Sequence, residues 1–204
     1  MPRIIALTSN YAELVRHLSV SAAMELKILK GEQLMGSPLA EQIGELDRRN
    51  MQAVLERAGI EFPLEKRRKG LASDSTFIVA FDGERLAGYL DYLRSWTNPD
   101  YIYIGSVQIE TEYRGGGLLL RLLEQFRTLV ADEEFAGFET NVQKVNIAAV
   151  RLCRKLGFTL EPNPRNDASR TARAGKEMLT ESPVAKLIDR WRAREASRSL
   201  PRHK

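Results

Sequence analysis

The sequence predicts a mixed α/β domain built in layers, with a mostly antiparallel sheet of about six to seven strands, flanking helices and one further basic helix at the C-terminus. Three observations predict it. Residues 75–110 hold three extended, β-branched and aromatic runs separated only by turns, the pattern of a meander. Helical apolar spacing precedes and follows that region, yet helices and strands do not alternate one for one, which excludes a regular doubly wound sheet. Hydrophobic residues form 43% of the 204-residue chain and charged residues 28%, the balance of a globular protein able to bury a full core.

In chain order, residues 3–7 read as a short strand. Asn10, three residues before Glu13, opens a helix predicted over Tyr11–Lys30, with Leu14, Leu18, Ala22, Leu26 and Leu29 in its apolar row and Gly31 closing it. Ser37 and Pro38 start a second helix whose stripe is Leu39, Ile43, Leu46, Val54 and Leu55, ended by Gly59. A charged loop follows, with Lys66-Arg67-Arg68-Lys69 at its middle: a solvated loop, or a rim attracting an anion. Ser75–Asp82, Arg85–Leu93 and Tyr101–Glu110 are the meander strands. A helix is predicted from Leu118 to Asp132, a strand over Gly137–Val142, and a helix over Asn146–Leu156 closed by Gly157. Phe158–Glu161 starts another strand, Pro162–Ala174 reads as a polar loop, and Lys176–Leu179 as a last strand. Ser182-Pro183 then opens a helix with Val184, Leu187, Ile188 and Trp191 along one face.

Composition narrows the function. Cys153 is the single cysteine, so intrachain disulfides and cysteine-based zinc clusters are excluded. His17 and His203 lie far apart, and no metal site is expected. No apolar run is long enough to span a membrane, and the N-terminal run breaks at Thr8, too early for a signal peptide, so a cytoplasmic protein without membrane attachment is expected. The net charge is +4, but residues 182–204 alone carry seven Lys/Arg against two acids. The body is therefore close to neutral, and any contact with nucleic acid would run through the basic tail.

The most informative stretch joins a strand to a helix through Arg114-Gly115-Gly116-Gly117-Leu118-Leu119. Glycines let successive backbone N–H groups turn toward one point, and the helix N-terminus adds partial positive charge there. The result suits a phosphate, with Arg114 at the entrance, although the pattern is neither a P-loop nor a dinucleotide fingerprint. A plain chain-reversing turn is the alternative. Farther on, Asn146, Ala149 and Cys153 fall near one helix face, with Asn146 either a cap or a ligand to an extended amide chain.

Tyr113-Arg114-Gly115-Gly116-Gly117-Leu118, followed by Asn146-x-x-Ala149 and Lys155-Leu156-Gly157-Phe158, resembles the GNAT superfamily of acyl-CoA-dependent N-acetyltransferases. The resemblance covers roughly residues 75–179. It implies a GNAT-like sheet, a domain over 1–181 with its motif-bearing core at 75–179, and a basic amphipathic helix or tail over 182–204 outside the family pattern. It implies that Arg114, Gly115, Gly116, Gly117, Leu118 and Leu119 hold the pyrophosphate of acetyl-CoA, that Ile109 offers main-chain bonds to the pantetheine arm, and that Asn146 contacts the cofactor. Leu119 departs from the small residue the family uses, either crowding a phosphate or turning into the core. Cys153 stands where the family has a tyrosine that protonates the departing thiolate, so it is either a thiol donor or a small buried residue.

Acetyl transfer to an amine needs orientation, a proton acceptor and stabilisation of the developing oxyanion. Glu139 and Glu110 are the candidate bases, each otherwise a surface carboxylate, and Tyr101 and Tyr103 share one strand face that could line an acceptor channel. The reading is an acetyl-CoA-dependent N-acetyltransferase acting by direct transfer to a primary amine in a ternary complex. The alternatives are a catalytically weak acyl-CoA-binding regulatory module, or a protein- or tRNA-modifying acetyltransferase anchored by its basic tail. The acceptor's size is open, and a homodimer is compatible with the apolar face of the last helix.

Overall fold

The computed structural model describes residues 24–64, 71, 74–115 and 117–199. The predicted strand over 3–7, the start of the first helix, the Lys66–Lys69 run, Gly116 and residues 200–204 lie outside the described residues. Seven strands form one sheet in the order β1 (Glu25–Lys30), β2 (Thr76–Asp82), β3 (Arg85–Arg94), β4 (Tyr101–Ile109), β5 (Gly137–Gln143), β7 (Ser169–Gly175), β6 (Thr159–Pro162). All neighbours are antiparallel except β4 and β5.

Period-two alternation sends the side chains of the meander into two layers. On one face Phe77, Val79 and Tyr89 pack against Ile43 and Leu46 of α1 (Pro38–Glu56). On the other, Ile78, Leu90, Ile102 and Phe138 meet α2 (Leu118–Leu129), α3 (Ile147–Lys155) and α4 (Pro183–Ser199). Burial on both faces explains the near-continuous apolar run of β2 and β3. Ser37 caps α1 as its sequence position predicts, accepting from Ala40 N–H at 3.3 Å. Tyr89 Oη donates to the carboxylate of Asp47, tying α1 to the centre of the sheet where both side chains are buried. Phe126 of α2 stands edge-on to Tyr92 and to Phe138, at ring separations of 4.9 and 5.5 Å.

Three predicted elements differ. Residues 25–30 are an edge strand, not the end of a helix. Leu26 and Leu29, which share a helical row by spacing, instead face the two opposite layers from an extended chain paired with β2. The predicted polar loop over 162–174 contains β7, which is bonded on both sides, to β5 and to β6. Ala172 is its fully buried residue, so the strand carries its inward face on alanines and offers no large apolar signal. Lys176–Leu179 is a 3₁₀ turn, not a strand; it tucks Met178 and Leu179 into the core. In α4 the inward residues are Val184, Ala185 and Ile188, while Leu187 is exposed, and Ser182 caps the start through Val184 and Ala185 N–H at 3.2 and 3.1 Å.

The Asp47–Tyr89 bond carries a stability prediction. Tyr89→Phe removes one donor from a buried carboxylate, which costs roughly 1–3 kcal/mol. Thermal unfolding by circular dichroism should show a fall of about 2–4 °C per kcal/mol for a chain of this size. An unchanged midpoint would assign the α1 attachment to apolar packing alone.

Candidate active site

The single parallel pair in the sheet is also its shortest register: Tyr101, Ile102 and Tyr103 of β4 against Gly137, Phe138 and Glu139 of β5. Beyond Tyr103 the two strands part, β4 staying with β3 and β5 with β7. A bulge lies where they separate, the β3–β4 register passing from Tyr92↔Ile104 to Asp91↔Ser106 with Gly105 as the extra residue. Past the bulge, Glu110 N–H donates to Ala87 O at 2.9 Å, which turns the carbonyl of Ile109 to the opposite edge, into the gap. The same alternation places the main-chain groups of Val107 along that edge. Ile109 O accepts from Asn50 Nδ2 of α1 and from Arg114 Nε, each at 3.2 Å. The carbonyl of Ile109 thus lies on the unpaired edge of β4 and is held by two side chains.

The gap widens toward the glycine loop. A 3₁₀ turn, Thr111–Tyr113, leads into it and is held by Tyr113 Oη donating to Asp82 at 2.9 Å. Burial, and then the adjoining Asp82 carboxylate, push the Tyr113 phenol up to about 12. Gly115 and Gly117 have φ of +81° and +86°, conformations that L side chains rarely adopt. Gly117 is the N-cap of α2 and supplies no side-chain cap, and no acidic residue stands in the first turn, so the leading N–H groups of α2 face outward into a positive field. Leu118 is buried and Leu119 half-buried against the main core, so Leu119 turns inward. Arg114 does not enter the cradle: its guanidinium folds back to Ile109 O and to Asn50 Oδ1, the latter at 2.6 Å.

The remaining predicted residues divide. Asn146 is the cap of α3, accepting from Ala149 N–H at 3.1 Å, and its Nδ2 lies 3.7 Å from Met51 Sδ of α1. As α1 and α3 lie on opposite faces of the sheet, that contact bridges the gap. Cys153 is buried in the main apolar cluster, and burial pushes its thiol up. Glu139 is almost fully buried where β4 and β5 meet: it accepts from Ser95 Oγ and from Thr97 Oγ1 at 2.9 Å, and pairs with Arg173 at 3.4 Å. Glu110 is ion-paired with Arg49 of α1. Glu139 lies beside Tyr103 and Glu110 follows Ile109, so the two carboxylates stand at opposite ends of the gap, about 20 Å apart at strand rise. Tyr103 stands opposite Glu139 in the paired part of β4 and β5, with the exposed Trp96 at 5.8 Å between rings.

Two residues escaped the sequence reading. Asp91 sits on β3, 2% exposed, with its carboxylate directly over Gly105; a Cβ at 105 would lie 2.2 Å from Asp91 Oδ2. The available signal was a carboxylate inside an otherwise apolar strand, Arg-Leu-Ala-Gly-Tyr-Leu-Asp91-Tyr-Leu. Asn50 gave no signal, because its role arises only when α1 crosses the end of β4.

A profile of the acetyltransferase (GNAT) family matches residues 41–158. No protein of curated function matches the chain in sequence. An acetyltransferase of Thermus thermophilus is similar in structure at 17% identity, covering 75% of this chain and 97% of its own, with a TM-score of 0.57. The PaiA N-acetyltransferase of Thermoplasma acidophilum, solved in complex with coenzyme A, is similar at 16% identity, 74% and 98% coverage and a TM-score of 0.54. An acetyltransferase of Streptococcus agalactiae reaches a TM-score of 0.59 at 15% identity, over 75% of this chain and 98% of its own. At these identities the likeness is one of fold.

The burial of Cys153 predicts its reactivity. A raised thiol pKa leaves less thiolate at any given pH, so alkylation by iodoacetamide at pH 8 should run at least about tenfold slower than for a free cysteine and speed up in denaturant. Mass spectrometry reads the rate directly; labelling as fast in the native protein as in the unfolded chain would contradict the placement.

Proposed function

The chain belongs to the GNAT acetyltransferase family, and from that premise we propose that it moves an acetyl group from acetyl-CoA to a primary amine by direct transfer in a ternary complex. The observation that carries the reading is the gap between β4 and β5, which joins a polar main-chain edge to a side-chain-free anion cradle at the start of α2. Acetyl-CoA would supply a thioester already activated toward amines. The cradle of Gly115, Gly117 and the leading N–H groups of α2 fits its pyrophosphate, since neither glycine carries a Cβ and, among the described residues, no acidic residue stands in the first turn of α2. The edge of Val107 and Ile109 fits an extended amide chain.

The chain's own groups then divide the chemistry. Backbone N–H groups beside the Gly105 bulge are fixed dipoles where the oxyanion would develop. Asp91 lies against Gly105 at the bulge where β4 and β5 begin to part, and we assign it the amine's proton, directly or through one water. Glu139 and Glu110, the acids proposed from sequence, hold Ser95, Thr97 and Arg173, and Arg49, respectively; they support the closed and open ends of the site. The apolar surroundings of Cys153 favour a packing role, with water protonating the leaving thiolate. Tyr103 and Trp96 flank the side from which an amine would enter. Among the described residues no helix is long and apolar enough to cross a membrane. We propose one catalytic domain that includes the docked part of α4, because Ile188 is fully buried in the main core.

Calorimetric titration with acetyl-CoA tests the reading. Binding in the micromolar range is expected, and Gly117→Glu should lose it while remaining folded by circular dichroism. Offered a panel of primary amines, the parent should release CoA thiol, and Asp91→Asn should slow release about 100-fold or more at unchanged acetyl-CoA affinity. Binding without release for any amine would replace the enzyme with an acyl-CoA-binding module; no binding would remove the acetyltransferase reading.

A further inference from the structure

The sheet face that carries α1 is only partly covered by it. α1 lies on Phe77, Val79 and Tyr89 of β2 and β3 and reaches β4 at Gln108 through Asn50. Alternation sends Phe138, Leu160 and Ala172 of β5, β6 and β7 into the main core, so Glu139, Asn141, Glu161, Thr171 and Arg173 rise on the α1 side. Asn141 and Glu161 are exposed there. By the same alternation Tyr103 of β4 and Asp91 of β3 share that face. Tyr103 stands two residues, about 7 Å at strand rise, before the Gly105 bulge where Asp91 sits.

This open half-face has an aromatic wall. Trp96 is 74% exposed, and its ring stands 5.8 Å from that of Tyr103, tilted by 42°. The loop that bears it is tied down: the residues on either side, Ser95 and Thr97, both donate to the buried carboxylate of Glu139. An indole held in place and left open to water is a surface for a flat, partly apolar partner. Beside the rings stands a neutral amide. Asn141 Oδ1 accepts from Asn163 Nδ2 and from Thr171 Oγ1, each at 3.2 Å, which turns Nδ2 toward Tyr103 Oη at 3.4 Å. The second Nδ2 hydrogen has no partner among the described residues and is presented to an incoming oxygen. The charged groups on this face of β5, β6 and β7 are Glu139 and Glu161, which share Arg173 at 3.4 and 2.9 Å. With Asp91 the balance is slightly negative. It suits one ammonium, and on these strands it offers no spare cation for a phosphate and no open row of acids for a polyamine.

We propose that this half-face binds the body of the acceptor, and that the acceptor is an unphosphorylated amino sugar, its C–H face on Trp96, a ring oxygen or hydroxyl on Asn141 and its amine at the Gly105 bulge. This rests on the acetyl-CoA reading and names the acceptor class for the same site. A hydroxylated ring matches each part of the surface: an apolar face for the indole, oxygens for the fixed amide, and a single positive charge. A polyamine offers Asn141 no oxygen, and a phosphorylated sugar brings an anion to a face that already carries more carboxylates than cations.

The test measures CoA release by the full-length protein with glucosamine and galactosamine, and with glucosamine 6-phosphate, spermidine and a lysine-containing peptide as rivals. The two sugars should give kcat/KM at least about tenfold above each rival. Trp96→Ala should raise KM for the sugars about tenfold and Asn141→Leu about fivefold, with kcat within about twofold, since neither side chain meets the reacting atoms. Acetyl-CoA affinity by calorimetry should not move in either variant, and melting curves check that both fold. Trp96 lies on the surface and can be cut back without opening the core, so the test stands on it alone should Asn141→Leu fail to fold. Equal or higher kcat/KM with the phosphorylated sugar, spermidine or the peptide would overturn the proposal. So would no release with either sugar, or a KM untouched by Trp96→Ala. In each of these cases acetyl-CoA binding keeps the donor reading; no binding would remove that reading, and this proposal with it.

Discussion

Three residue pairs hold the two halves of the sheet together, and the site exists because there are only three. A parallel neighbour cannot be reached by a tight turn; it requires a crossover, which here is α2. The crossover brings the N-terminus of a helix to the end of β4, where the strand has already left its partner. A fully paired β4 and β5 would bury the main-chain groups of Val107 and Ile109 in a ladder and leave no cleft for an extended ligand. The partial pairing thus supplies both a polar edge and a positive helix end, and the two meet.

Keeping that edge open needs support on both faces. α1 crosses the end of β4 and commits Asn50 to Gln108 and to Ile109 O, while Asp47 anchors the helix through Tyr89. α3 approaches from the other side, and Asn146 touches Met51 through the gap. A thioether is a weak acceptor on a flexible chain, so this contact is a weak one. The bulge at Gly105 accommodates the buried Asp91, where any side chain at 105 would collide with the carboxylate.

The sequence showed the fold where apolar periodicity was strong and unambiguous. The meander, α2 and α3 follow from it, and the turn glycines sit where positive φ is required. It misled where two periods coincide: Leu26 and Leu29 satisfy a helical row, and only pairing with β2 decides for a strand. It was silent where burial is done by small residues, as in β7 with Ala172. At the site, the glycine turn and the cap at Asn146 were readable because backbone geometry and capping are local properties, whereas Ile109 was singled out only by the family resemblance. The partners of Glu110, Glu139 and Arg114 were not, because Arg49, Arg173 and Asn50 come from other elements and meet them only through sheet order. Asp91 is the same case: a strand carboxylate gains meaning from the bulge on its neighbour.

Glu139 occupies the vertex of the wedge formed by β4 and β5. Its carboxylate gathers Ser95 and Thr97 from the loop after β3 and Arg173 from β7, so one side chain links both leaves of the sheet at their shared corner. Leverage follows from that position. The open end of β4 lies about 20 Å away, so a hinge rotation of about 5° at the vertex displaces the ligand edge there by nearly 2 Å. Under the proposed reading, the width of the gap at its open end depends on the polar clasp at its closed end as well as on the residues that line it.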